Sequence, residues 1–192
     1  MTTVQTSSIA RGAIIARLAD ETSGFNPRFL AGIAALGLTL PASFRTPISF
    51  AAGSKNFFTV DLEPADFGKS TAYTLPLMTL FPMSTDNQRL ERPRQFAGLV
   101  THGLKLFLTW PSTRAATELT PLAEAAQDAL ISTFNDLDLS IANWAQAWAD
   151  LNTDANLVYG GDIAVQFSRL IADGDSWSIG ISARIMLDVF TQ

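Results

Sequence analysis

The 192-residue chain has no cysteine and a single histidine, His102. The first absence excludes disulfide staples and thiolate metal sites and fits a reducing compartment. The second leaves no histidine pair to share a metal and one imidazole at most as a catalytic base. A Ser-His-Asp hydrolase would have to use His102, yet no Gly-x-Ser-x-Gly elbow occurs. His102 falls on the apolar side of an alternating run, where a core histidine is the expected role.

Long hydrophobic runs are also missing. The longest uncharged stretches, Phe29 to Phe44 and Ser70 to Thr85, are shorter than a bilayer span and are interrupted by Gly37, Pro41, Pro76 and Pro82. Thr2 to Ser8 has no basic residue ahead of an apolar segment, so no secretory signal is expected there. No Gly-x-Gly-x-x-Gly is present and Gly160-Gly161 is followed by no phosphate-loop lysine, which leaves nucleotide cofactors without support. No cofactor and no metal is therefore expected. Asp136-Leu137-Asp138 and Asp173-Gly174-Asp175 resemble fragments of a calcium loop but lack its ligand ladder, and turn chemistry accounts for both.

The charge is absent in one sign over a long stretch. Ala115 to Ser168 contains no lysine or arginine but carries Glu118, Glu124, Asp128, Asp136, Asp138, Asp150, Asp154 and Asp162. Such a surface repels a polyanion and argues against specific nucleic-acid binding. It is either solvated helix and loop surface or a wall that DNA passes without sticking.

What is present is periodicity. Ile163 to Phe190 alternates apolar and polar residues, with Ile163, Val165, Phe167 and Ile171 on one side and Trp177, Ile179, Ile181, Ala183, Ile185, Leu187 and Val189 continuing the same parity. An antiparallel hairpin keeps these rows on one face only if its loop has an odd length. A three-residue loop, Ala172-Asp173-Gly174, meets that condition. It sets Phe167 opposite Ile179 and Arg169 opposite Trp177, with the guanidinium over the indole or snorkelling past it as an edge charge. The hairpin's polar side projects Ser168, Ser182, Arg184 and Asp188.

Upstream, Ala97 to Trp110 alternates in the same way. Val100, His102, Leu104, Leu106, Leu108 and Trp110 lie on one face, and Thr101, Lys105 and Thr109 on the other. Two helices are expected at the N-terminus. The first is capped by Ser8 and carries Ile9, Ala13, Ile14 and Leu18; the second is capped by Asn26, opened by Pro27, and stopped at Gly37 after Phe29, Leu30, Ile33 and Ala34. Thr120-Pro121 opens a helix from Leu122 to Asn135 that buries Leu122, Ala126, Leu130, Phe134 and Leu137. A shorter helix follows Ser140, with Ile141, Trp144, Trp148 and Leu151 as its apolar stripe, in which the tryptophans are core rather than a stacking platform.

From Leu38 to Gln95 the chain is rich in proline, glycine and aromatics. Candidate strands are Ile48 to Ala51, Phe57 to Leu62 and Ala72 to Phe81, held to edges or bulges by Pro41, Pro47, Pro64, Pro76 and Pro82. Thr85 to Gln95 reads as a polar loop or arm tip. Together these elements indicate one α+β domain over 1–192: a mixed or antiparallel sheet with helices on one face, residues 38–95 as an elaborated arm, and a C-terminal β-hairpin.

The arrangement of an N-terminal helical segment, the strand Phe96 to Trp110, the crossing helix Leu122 to Asn135 and the terminal hairpin Ile163 to Phe190 resembles the tail terminator and tail-completion proteins of long-tailed phages. The likeness is one of layout over roughly three quarters of the chain, and no short motif carries it. It implies a non-enzymatic virion subunit, made in the host cytoplasm, that forms a six-membered ring between tail tube protein and head connector or stopper and lets DNA pass without specific binding or membrane contact. The long segment 38–95 departs from a minimal terminator and leaves room for a stopper or connector role. Within this reading, Arg89, Arg92 and Arg94 are the residues expected to reach a neighbour's acidic surface, since guanidinium groups suit bidentate carboxylate pairing; a solvated loop is the competing reading. Two other functions compete. One is a small hydrolase using Asp61 and Glu63, which share one side of a strand. The other is a monomeric binding module using the polar side of the terminal hairpin.

Overall fold

A computed structural model describes residues 6–38, 47–62, 74–89, 96–111, 115–135, 157–168, 171–173 and 176–191. The elements in chain order are α1 (Thr6–Ala19), α2 (Phe25–Ala35), β1 (Phe57–Phe58), β2 (Leu77–Arg89), β3 (Phe96–Pro111), α3 (Ala115–Asn135), β4 (Leu157–Phe167), β5 (Ile171–Asp173) and β6 (Ser176–Thr191). The strands form one six-stranded sheet ordered β1-β2-β3-β6-β4, with β5 also on β6. Only β1 runs parallel to its neighbour; the other pairings are antiparallel. The α+β class and the terminal hairpin expected from the alternation are present.

Alternation explains the centre. The β3–β6 ladder runs from Phe96↔Thr191 to Pro111↔Ser176 and sets Val100, His102, Leu104, Leu106 and Leu108 opposite Leu187, Ile185, Ala183, Ile181 and Ile179. All ten side chains are buried on one face. Helices α1 and α3 cover that face, and α2 packs on α3 through Phe29 and Ile33 and a close approach of Gly32 to Ala125. Each fully buried aliphatic here contributes about 1.5–3 kcal/mol, which makes this layer the main source of stability.

Several local expectations are corrected. Helix α1 starts at Thr6, so Ser8 lies inside it instead of capping it. The cap of α2 is Gly24 and not Asn26, whose side chain is used elsewhere: its Nδ2 donates to the Ile48 carbonyl at 2.9 Å and its Oδ1 accepts the Ile48 N–H at 3.0 Å. That tether holds Ile48 in the core. Gly37, at φ 62°, is the left-handed residue past the end of α2, as expected. Leu30 is 39 % exposed and Ala34 exposed, so the buried stripe of α2 is Phe25, Phe29 and Ile33.

Helix α3 begins at Ala115, two turns before the expected start, and carries Pro121 inside it. Burial of Leu119 beside Leu122, Ala126 and Leu130 rewards those extra turns. In the middle segment, Ile48 to Ala51 is not a strand and Phe57 to Leu62 shrinks to β1. Residues 85–89, read as a polar loop, are strand, paired from Thr85↔Val100 to Arg89↔Phe96. Pro82 is accommodated by a register shift between Pro82 and Ser84.

The hairpin loop is also corrected. The β5–β6 ladder closes on Asp173↔Ser176, which leaves two residues between them, not three, and it pairs odd with even positions. Parity is restored further down, where Phe167 faces Ile181 and not Ile179. The change of register occurs beside Ser168, whose N–H donates to the Gly180 carbonyl (2.8 Å) while its Oγ accepts the Gly180 N–H (2.7 Å). Arg169, the stripe from Ile141 to Leu151 with Trp144 and Trp148, and Leu137 lie outside the described residues.

Candidate functional site

The face of the sheet away from the helices carries the polar chemistry. Lys105, placed by the alternation on the polar face, sits at its centre; its Nζ donates to Asp61 Oδ1 at 2.6 Å and lies 5.3 Å from the centre of the Phe81 ring. The Phe81 ring lies across Gly103, the residue it faces in the β2–β3 ladder. Thr101 and Thr79 on the same face are buried, so this side is covered near β2 and β3, contrary to the simple in-and-out pattern. Towards β6 it opens: Ser182 and Arg184 are exposed, as is Ser168. Those three positions match the projection expected of the hairpin's polar side.

Asp61 thus has a cationic partner, and the strand that would have aligned it with Glu63 is absent; Glu63 lies outside the described residues. Among the described residues Asp61 belongs to no group of three or more potential metal ligands. Of the arginines expected to reach a neighbour, Arg89 is the last residue of β2, while Arg92 and Arg94 lie outside the described residues. The distal half of the β2–β3 hairpin is nevertheless distinctive. Met83 is 50 % and Leu99 45 % exposed, and Ser84, Thr85 and Asp86 are exposed with them. Sequence reasoning took Thr85 to Gln95 for a polar loop or arm tip and missed that 85–89 are strand, because Thr85 to Arg89 has no apolar alternation.

His102 is on the other face, fully buried, with neither Nδ1 nor Nε2 hydrogen-bonded. Burial, and secondarily the Arg11 guanidinium on α1, push its pKa from 6.5 down to about 4, so the ring is neutral near pH 7. With neither nitrogen hydrogen-bonded and no exposed surface, it occupies the place of a core histidine in the folded protein.

On the helical side, Glu124 and Asp128 lie one turn apart on the exposed stripe of α3, inside the stretch without lysine or arginine. No described helix is long and apolar enough to cross a membrane, and no group of three or more potential metal ligands occurs among the described residues. No family model and no curated protein matches the chain. Among solved structures, it is similar over 97% of its length, and over 99% of the other chain, to a chain from the "Virion of native gene transfer agent (GTA) particle", at 12% identity and a TM-score of 0.31.

Proposed function

We propose that the protein is a structural subunit of a phage-like virion, acting as a tail-terminator-like ring at the junction of tail tube and head connector. The observation that carries this reading is the β2–β3 hairpin, thirteen and sixteen residues long, whose distal half presents Met83 and Leu99 to solvent and leads into the arginine-bearing stretch Arg89 to Arg94. Exposed apolar side chains at this end of the sheet suit contact with a neighbouring subunit. A head-to-tail contact between identical chains closes into a ring when the rotation per subunit closes. The exposed carboxylates of α3 support the passage of DNA, because a surface with no lysine row does not hold phosphates. In this role the protein performs no bond-making chemistry.

Light scattering with negative-stain imaging tests the proposal directly. A ring, six-membered by the family resemblance, is expected on its own or upon addition of tail tube protein. A chain that stays monomeric under both conditions would overturn it. Within the ring, Arg92→Glu with Arg94→Glu is expected to weaken assembly in sedimentation, and unchanged assembly removes these arginines from the interface.

A further inference from the structure

We propose that His102 makes the docking of α1 on the sheet sensitive to acid, so that a proton on its ring favours release of α1 from an otherwise intact sheet. His102 is 0% exposed, and neither ring nitrogen has a hydrogen-bond partner. A protonated ring at that position would be a buried cation with two unpaired donors, which is strongly unfavourable in an apolar layer. The flanking residues in the ladder, Pro82 on β2 and Ile185 on β6, offer no counter-charge. The group acting on the ring from α1 is Arg11, a second cation. On α3, Glu124 and Asp128 are exposed and Glu118 is half-buried in the first turn; burial and Arg11 together favour the neutral ring.

Besides lifting α3, which α2 and β4 also hold in place, two openings would hydrate the ring. One separates β3 from β2 and β6, which breaks ladders on both sides. The other lifts α1, which contributes no strand and is held by Ala10, Ala13, Ile14 and Leu18 with Arg17. Lifting α1 is the smaller opening, and it also removes Arg11 from the ring. Acid therefore acts on the helical layer before the sheet, and this response is independent of any assembly role.

Native-state hydrogen exchange on the intact protein tests this. Protection factors of the Ala10, Ile14 and Leu18 amides are expected to fall roughly tenfold or more between pH 7 and pH 5, while those of Leu104 and Ile181 hold. The single imidazole resonance should keep its position over that range; a titration centred near the ordinary histidine value would overturn the proposal. So would a parallel fall in the α1 and sheet amides. His102→Phe should remove the pH response of α1. Should that variant not fold, Arg11→Met decides alone: without the neighbouring cation the folded ring must titrate at higher pH and the loss of α1 protection must level off sooner and at a smaller value, and an unmoved imidazole titration refutes the mechanism.

Discussion

The Arg17 guanidinium donates from Nε to the main-chain carbonyl of Thr133 at 2.6 Å, joining the first and third helices across 116 residues of sequence. Thr133 belongs to the last turn of α3, where carbonyls lack intrahelical partners and a positive charge is favourable. That turn has no basic residue of its own, so α1 supplies one. The same guanidinium donates from Nη1 to Ser23 Oγ at 2.8 Å, and Arg17 is buried. Arg17→Ala strands a buried carbonyl and is expected to cost about 2–3 kcal/mol in urea unfolding, with Arg17→Lys recovering part of that. A loss below about 0.5 kcal/mol would mean that the bond does not tie the layers.

Ser23 passes this connection to the elbow between α1 and α2. Its hydroxyl donates to Asp20 Oδ1 at 2.9 Å, and the same oxygen accepts the N–H groups of Ser23 (2.6 Å) and Thr22 (2.9 Å). These donors, the Ser23 N–H foremost, hold the Asp20 carboxyl below its ordinary 3.8. The folded pKa lies below the unfolded one, so the stabilisation is present above about pH 4 and is lost as pH falls through the folded value. The site is exposed, and solvent screening limits the contribution to about 0.5–1 kcal/mol. Asp20→Ala should lower stability by that amount from pH 7 to pH 5, with the gap closing under more acidic conditions; a gap that persists at pH 2 would assign the effect to something other than the carboxylate.

The parts legible in the sequence are those where one face decides the residue type. The rows Val100 to Leu108 and Ile179 to Val189 are buried because their alternation leaves no other way to hide them. Gly37 was legible because a helix end with positive φ favours glycine. Residues 85–89 were not, because they join the sheet through a main-chain ladder with β3 that imposes no apolar code. Asn26 misled because an amide suited to capping can equally clamp a passing strand of chain. Lys105 was visible as a polar position, but its partner Asp61 comes from 44 residues away, a proximity that sequence spacing does not encode. Arg92, Arg94 and Glu63 lie outside the described residues.

Two glycines separate backbone collision from side-chain collision. A Cβ at Gly24 would collide with the Asp20 carbonyl oxygen and lie 2.6 Å from that of Leu18, where only the main chain could give way. A Cβ at Gly103 would meet the tip of the Phe81 ring, 2.5 Å from Cε2, and this half-buried ring can swing aside. Gly24→Ala is expected to cost about 2–4 kcal/mol and Gly103→Ala about 1 kcal/mol. Combining Gly103→Ala with Phe81→Ala should cost less than the sum of the two, since the collision is then gone. Strict additivity in chemical denaturation would show that the ring does not occupy the space above Gly103.

The register change of the terminal hairpin depends on one hydroxyl. Ser168 Oγ accepts the Gly180 N–H at 2.7 Å, so a backbone donor at the irregularity is satisfied by a side chain. This side-chain bond accompanies a two-residue tip and apolar rows that meet on one face from Phe167↔Ile181 to Ile163↔Ile185. Ser168→Ala should cost about 0.5–1 kcal/mol, since the site is exposed and water can replace the hydroxyl. It should also raise the exchange rate of the Gly180 amide selectively, leaving Ile181 and Ala183 protected. An unchanged Gly180 amide would show that the serine is incidental and that the tip residues alone set the register.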